Sequence, residues 1–169
     1  MRKNIVIYFL IMAALLVLLA ACSSKSEDTT QQNNEGDMHL YHAANGDLRE
    51  LTQSNEELPE FLKDKPEEMQ VIYSAAAKHQ ELLEAIPCYC GCGESADHKD
   101  NYDCFVFEDK DSGEVVWDDH GTRCGVCLET AAESILQYKD GKSLKEIRQY
   151  IDDKYKEGFS KPTPTPFPS

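Results

Sequence analysis

Three thiols crowd five residues in Cys88-Tyr89-Cys90-Gly91-Cys92, and two more stand at C-x-x-C spacing in Cys124-Gly125-Val126-Cys127, with Cys104 between the clusters. Thiolates select soft ions such as Cu(I), Zn(II) or the iron of iron–sulfur clusters. Gly91 and Gly93 free the backbone to turn several sulfurs toward one point. A disulfide inside a C-x-C unit is strained, so a purely covalent role pairs each of these cysteines with a distant one, and sequence does not choose among the pairings. Cys124 stands at the expected start of a helix, where a thiol becomes a better nucleophile or metal ligand, and Cys127 lies one turn on. Covalent haem attachment needs a histidine directly after the second cysteine, and that position is Leu128. His120, in the loop Asp118-Asp119-His120-Gly121, is the candidate nitrogen ligand or thiol-activating base, with His98 behind it. The candidate metal set is therefore Cys88, Cys90, Cys92, Cys124 and Cys127, extended by Cys104 and His120.

The elements that must hold these residues read as three helices and a hairpin. Pro66 followed by Glu67 and Glu68 starts a helix whose stripe runs Met69, Ile72, Ala76, His79, Leu83 and Ile86 and ends near Pro87. His79 sits on that apolar stripe and is read as a packed histidine outside the site. Phe105, Phe107 and Val115-Val116-Trp117 flank the turn cluster Asp111-Ser112-Gly113, a short β-hairpin. Cys124, Leu128, Ala131, Ile135 and Tyr138 form a second helical stripe that stops at Asp140-Gly141. Ser143 and Glu146 then form a capping box for a third helix bearing Leu144, Ile147, Ile151 and Tyr155. The fold class expected is mainly α: a small three-helix domain with a Cys-rich loop and a short β-hairpin between the first and second core helices. Its narrow, alanine-containing stripes give a small core that a metal or covalent staple would stabilise.

Of the 169 residues, 31 are acidic and 17 basic, for a formal charge of −14. No basic stripe is available to neutralise phosphates, which excludes nucleic acid as a partner. Arg2-Lys3 and the uncharged apolar run from Ile5 to Ala21 have the layout of a secretory signal, and Leu19-Ala20-Ala21-Cys22 resembles the bacterial lipobox. That resemblance implies cleavage before Cys22, a diacylglycerol on its sulfur, and a domain anchored to the cell membrane on its extracytoplasmic face. Residues 1–21 are then the signal peptide, and 22–54 are the lipidated cysteine and a flexible polar and acidic linker that contains His39 and His42. Residues 55–160 are the Cys-rich domain, and 161–169, with Pro162, Pro164 and Pro166, an extended tail. Disulfides persist outside the cytoplasm, where metal centres are also assembled, so the compartment permits either fate for the six remaining cysteines.

Pro87-Cys88-Tyr89-Cys90-Gly91-Cys92 resembles the signature of the PCYCGC-motif family of bacterial lipoproteins, whose function is not established. Residues Arg123 to Cys127, Gly141-Lys142-Ser143, Glu146-Ile147, Tyr150, Tyr155, Gly158 and Pro162 are similar to the membrane-tethered thiol-reductase subunit of cytochrome c maturation, a three-helix domain with a C-x-x-C between helices. That likeness implies Cys124 and Cys127 as a redox pair acting on an apocytochrome client. The pattern is broken at Thr122, where leucine is expected, by the extra step Lys156-Glu157, and by four additional thiols that would compete in disulfide exchange. Three readings follow: a lipoprotein that binds copper or zinc and delivers it to a metalloprotein, a thiol–disulfide oxidoreductase, and a disulfide-stapled binding module. No nucleophilic serine arrangement, phosphate loop, paired catalytic carboxylates or internal repeat supports another chemistry.

Overall fold

Two strands come first in the chain, β1 (Leu40–His42) and β2 (Leu48–Thr52). The computed structural model describes residues 39–169, so the expected signal peptide and Cys22 lie outside the described residues. After a 3-10 turn at Glu60–Leu62 the chain forms α1 (Glu67–Ala77), the short α2 (Gln80–Leu83) and the single-turn α3 (Gly93–Ala96). The hairpin β3 (Val106–Asp109) and β4 (Val115–Asp118) follows, then α4 (Gly125–Lys139) and α5 (Leu144–Lys154).

The strands make one antiparallel sheet in the order β1-β2-β4-β3. β2 pairs with β4 over Arg49–Thr52 against Asp118–Val115. This overturns the expected mainly α, three-helix domain: the described residues form a mixed fold of five helices and a four-stranded sheet. The three long helices and the hairpin lie close to where the periodicity places them, but the hairpin is half of a larger sheet. The other half comes from residues 40–52, inside the segment read as linker.

That segment conceals its strands because its inward positions are polar. Glu50 and Thr52 are buried, and both are satisfied at long range. The Glu50 carboxylate accepts from Glu60 N at 2.8 Å and Phe61 N at 3.3 Å. Thr52 Oγ1 accepts from the indole Nε1 of Trp117 at 2.8 Å. A polar strand can be buried when every buried group finds a partner, and then no apolar alternation marks it.

Trp117, fully buried, packs against Tyr73 of α1, whose ring in turn meets Phe105 edge-on at 5.0 Å. Tyr73 donates to the carbonyl of Asp118 at 3.0 Å, tying α1 to the end of β4. α4 packs against α1 and α5. Gly141 holds φ +85° after α4, the left-handed conformation expected of it, and the Ser143–Glu146 capping box is formed. The first stripe breaks at Lys78 and His79, so His79 lies between α1 and α2, its Nδ1 2.7 Å from the carbonyl of Ala75.

Replacing Thr52→Val leaves the Trp117 N–H buried without an acceptor, which should cost about 1–3 kcal/mol. Denaturant unfolding followed by the fluorescence of Trp117, the chain's one tryptophan, checks this, and an unchanged midpoint would show that β2 is not anchored through this bond.

Candidate metal centre

The Cys-rich loop leaves α2 through Ile86 and Pro87 and is clamped from outside by the proline-rich C-terminal segment. Cys88 N–H donates to Thr163 Oγ1 at 2.9 Å, and Cys88 C=O accepts from Thr163 N at 3.1 Å. Arg148 of α5 bridges the two segments, donating to the carbonyls of Ala85 and Pro166 at 3.1 Å and to that of Thr165 at 3.2 Å. Residues 161–169 are non-helical and irregular, in keeping with their prolines, yet docked through these bonds. Tyr89 anchors the loop to α5: its ring stacks on Tyr155 at 5.1 Å and its hydroxyl bonds Asp152. Gly91 takes φ +84°, and a Cβ there would stand 2.5 Å from Ser160 Oγ, so glycine lets Cys90 and Cys92 turn beneath the C-terminal segment.

The loop, the 3-10 turn at Tyr102–Cys104 and the start of α4 deliver their sulfurs to one place. Cys88 Sγ lies 2.9 Å from Cys90 Sγ, 3.8 Å from Cys127 Sγ and 3.9 Å from Cys104 Sγ. Cys104 and Cys127 are 3.1 Å apart. Three donor triads, each with its ligand atoms within 4.8 Å of one another, run through the cluster: Cys88, Cys104 and Cys127; Cys90, Cys124 and Cys127; and Cys90, Cys92 and His120. The first is buried, while Cys90, Cys92, Cys124 and His120 are half-buried. All seven metal-ligand candidates from the sequence are therefore brought together. Cys124 caps α4, its sulfur accepting from Cys127 N at 3.4 Å, as its place at the helix start requires.

Two residues of this site were not assigned to it from the sequence. Asp47, only 3% exposed, has both carboxylate oxygens 3.3 Å from His120 Nδ1. It also pairs with Arg123 and accepts from Asn45 at 2.6 Å. Nδ1 of His120 thus faces a carboxylate while a ring nitrogen lies within 4.8 Å of the Cys90 and Cys92 sulfurs, the carboxylate–imidazole arrangement that orients a histidine ligand. His98, weighed below His120, is buried with Nδ1 3.6 Å from Cys104 Sγ and its ring edge-on to His120 at 4.5 Å. Its Nε2 has no hydrogen-bond partner among the described residues. Asn45-Gly46-Asp47 is a turn sequence, but nothing in it announces a partner more than 70 residues away.

The crowded sulfurs share protons unequally. Hydrogen bonds from Cys104, Cys127 and Cys90 hold the Cys88 thiol far below the ordinary thiol range. Bonds from Cys124 and Cys127 bring Cys90 down to about 4. Cys127 is driven strongly up, because Cys104, Cys124 and the anionic neighbours all favour its keeping a proton. Cys104 feels a downward pull from Cys127, outweighed by its bond to Cys88 and by burial, and ends above its ordinary value. Burial and then the charge on Cys90 raise Cys92 to about 11. The hydrogen bond to Cys90, against the opposing effect of burial, lifts His120 to about 9. Burial lowers His98. Within the knot the thiolate form is thus most favoured at Cys88 and Cys90 and the proton at His120.

Among known proteins, the family model described as "Protein of unknown function with PCYCGC motif" matches residues 11–168. No curated protein and no solved structure matches the chain.

His120, with a folded pKa of about 9 against an ordinary 6.5, contributes stability that is fully present below about pH 6.5 and lost as pH rises through 9. The deficit of His120→Gln relative to the parent, both reduced and metal-free, should therefore be largest in mild acid and vanish above pH 9. NMR titration provides the direct check: the His120 ring should titrate near pH 9, and Cys90→Ser should bring it down. A parent ring titrating near 6.5 removes the Cys90–His120 pair.

Proposed function

We propose, for a chain that belongs to the family of proteins of unknown function with a PCYCGC motif, that its cysteine knot captures a soft metal ion, Cu(I) or Zn(II), and hands it on by ligand exchange. The observation that carries this reading is the convergence of six sulfurs and one imidazole from four segments of the chain onto overlapping triads. Such crowding of like groups is unfavourable without a cation: thiolates repel, and buried thiols have few good hydrogen-bond partners. A soft ion replaces the shared protons with metal–sulfur bonds and relieves both conditions, so loading releases protons and stabilises the fold. Triads suit three-coordinate Cu(I), and a fourth donor drawn from a neighbouring triad serves tetrahedral Zn(II). The half-buried rim of Cys90, Cys92 and His120 is where ligand exchange with a metalloprotein partner takes place. The net charge of −14 favours the approach of cations. Lipidation at Cys22 would hold this site at the extracytoplasmic face of the membrane, within reach of a membrane-bound or exported acceptor.

A second reading has its own observation. Cys104 and Cys127 stand 3.1 Å apart, and Cys124 caps the helix that carries Cys127. Exchange with a client's disulfide would then start from the half-buried Cys124, with the buried Cys127 resolving and Cys104 competing with Cys124 for Cys127.

The full-length chain, reduced and incubated anaerobically with Cu(I) or Zn(II), should retain metal through gel filtration, release protons on loading and melt at a higher temperature. Cys104→Ser, which removes a buried donor, should weaken retention at least tenfold by chelator competition. A fully reduced protein that keeps neither ion overturns the metal reading. Alkylation and mass measurement of protein isolated without reductant then separate the others: one disulfide involving Cys127 supports redox exchange, and three disulfides support the stapled module.

A further inference from the structure

Seven donors are too many for one soft ion, which takes three or four. Their connectivity is as informative as their number. The buried triad of Cys88, Cys104 and Cys127 shares Cys127 with the middle triad, which is completed by Cys90 and Cys124. The middle triad shares Cys90 with the rim triad, completed by Cys92 and His120. From this vertex sharing we infer that the knot holds a compact cluster of metal ions, with the sulfurs of Cys127 and Cys90 as bridging thiolates. This inference rests on the metal-binding reading above and specifies its capacity and order.

The geometry is close to what such a cluster needs. Three sulfurs bound at about 2.3 Å to one ion in a plane stand about 4 Å apart. The buried triad shows 3.1, 3.8 and 3.9 Å, so small side-chain adjustments admit an ion. Bridging also addresses charge. Three unshared thiolates around one Cu(I) would leave excess negative charge in a buried site, whereas a thiolate shared between two ions is neutralised by both. The cluster is graded as well: its inner end is buried, and its outer end finishes in the half-buried His120, held from behind by Asp47. Ions therefore exchange at the rim and pass inward across shared sulfurs.

Bridging and terminal donors differ in what their removal costs, which makes the inference countable. Metal analysis and native mass spectrometry of the reduced full-length chain saturated with Cu(I) should find three ions, one per triad. Cys92→Ser, removing a terminal donor, should leave two. Cys90→Ser, removing a bridge, should leave one. Cys127→Ser should also leave one, but Cys127 is buried, so the half-buried Cys90 gives the decisive variant, with circular dichroism to confirm that it folds. X-ray absorption should show metal–metal scattering in the parent that disappears in Cys90→Ser. A parent that saturates with a single ion, or equal losses from Cys90→Ser and Cys92→Ser, overturns the cluster while leaving metal binding intact. A reduced parent that binds no ion overturns both.

Discussion

Six thiols held in one knot cannot all ionise, and this constraint governs the rest of the molecule. Each low thiol leans on donors from its neighbours, Cys88 chiefly on Cys104 and Cys127 and Cys90 chiefly on Cys124 and Cys127, while Cys92, Cys104 and Cys127 go up. Thiols are weak donors, so this arrangement is a poor substitute for strong bonds in a core. The compensation comes from outside the knot. Thr163 grips both backbone polar groups of Cys88, Asn101 Nδ2 donates to the carbonyl of Cys127 at 3.3 Å, and the backbone of Cys104 crowds Gly121, where an added Cβ would meet its carbonyl at 2.9 Å. The scaffold thus fixes the backbone around the sulfurs while the thiols themselves stay weakly bonded.

The same logic explains how far the sequence could be read. Helices announce themselves through buried faces that must be apolar, and Ile147, Ile151 and Tyr155 lie buried where a period of 3.6 put them. The hairpin was legible from its turn, and the cysteines from their spacing. β1 and β2 were not, because Glu50 and Thr52 point inward and are satisfied by groups 10 and 65 residues away. Asp47 escaped for a related reason. Its meaning lies entirely in its contacts with His120 and Arg123, and local sequence carries no record of long-range polar pairing. The C-terminal prolines correctly forbade a helix, but a lack of regular structure does not imply a lack of contacts, and Thr165 is 8% exposed.

These polar features share a purpose in the structure. The acidic N-terminal segment supplies Asp47 behind His120, the extended C-terminal segment supplies Thr163 behind Cys88, and Arg148 binds that segment to the carbonyl of Ala85 just before the motif. The two ends of the described chain are thus threaded into the support of one site. Each contributes hydrogen bonds to charged or backbone groups in partly buried positions, where they are stronger than at the surface. Hydrophobic packing alone could hold the helices together, but it is non-directional and would leave the loop free to rotate.

Directionality matters most at the rim. A histidine ligand must present one nitrogen to its ion and hold the other, and His120 has Nδ1 set against Asp47 with a ring nitrogen within 4.8 Å of the Cys90 and Cys92 sulfurs. Arg123 pairs with Asp47 and with Asp119, limiting the negative charge that would otherwise draw His120 wholly toward its carboxylate side. The imidazole therefore stands between a carboxylate and a pair of nearby sulfurs. On the proposed reading, Cys90 and His120 would serve as ligands to an ion, the ring would give up its proton on that side, and Asp47 would keep it aimed. Under the proposed metal-binding reading, such a preset ring would need little reorganisation to accept an ion and little to release one, as ligand exchange with a partner demands.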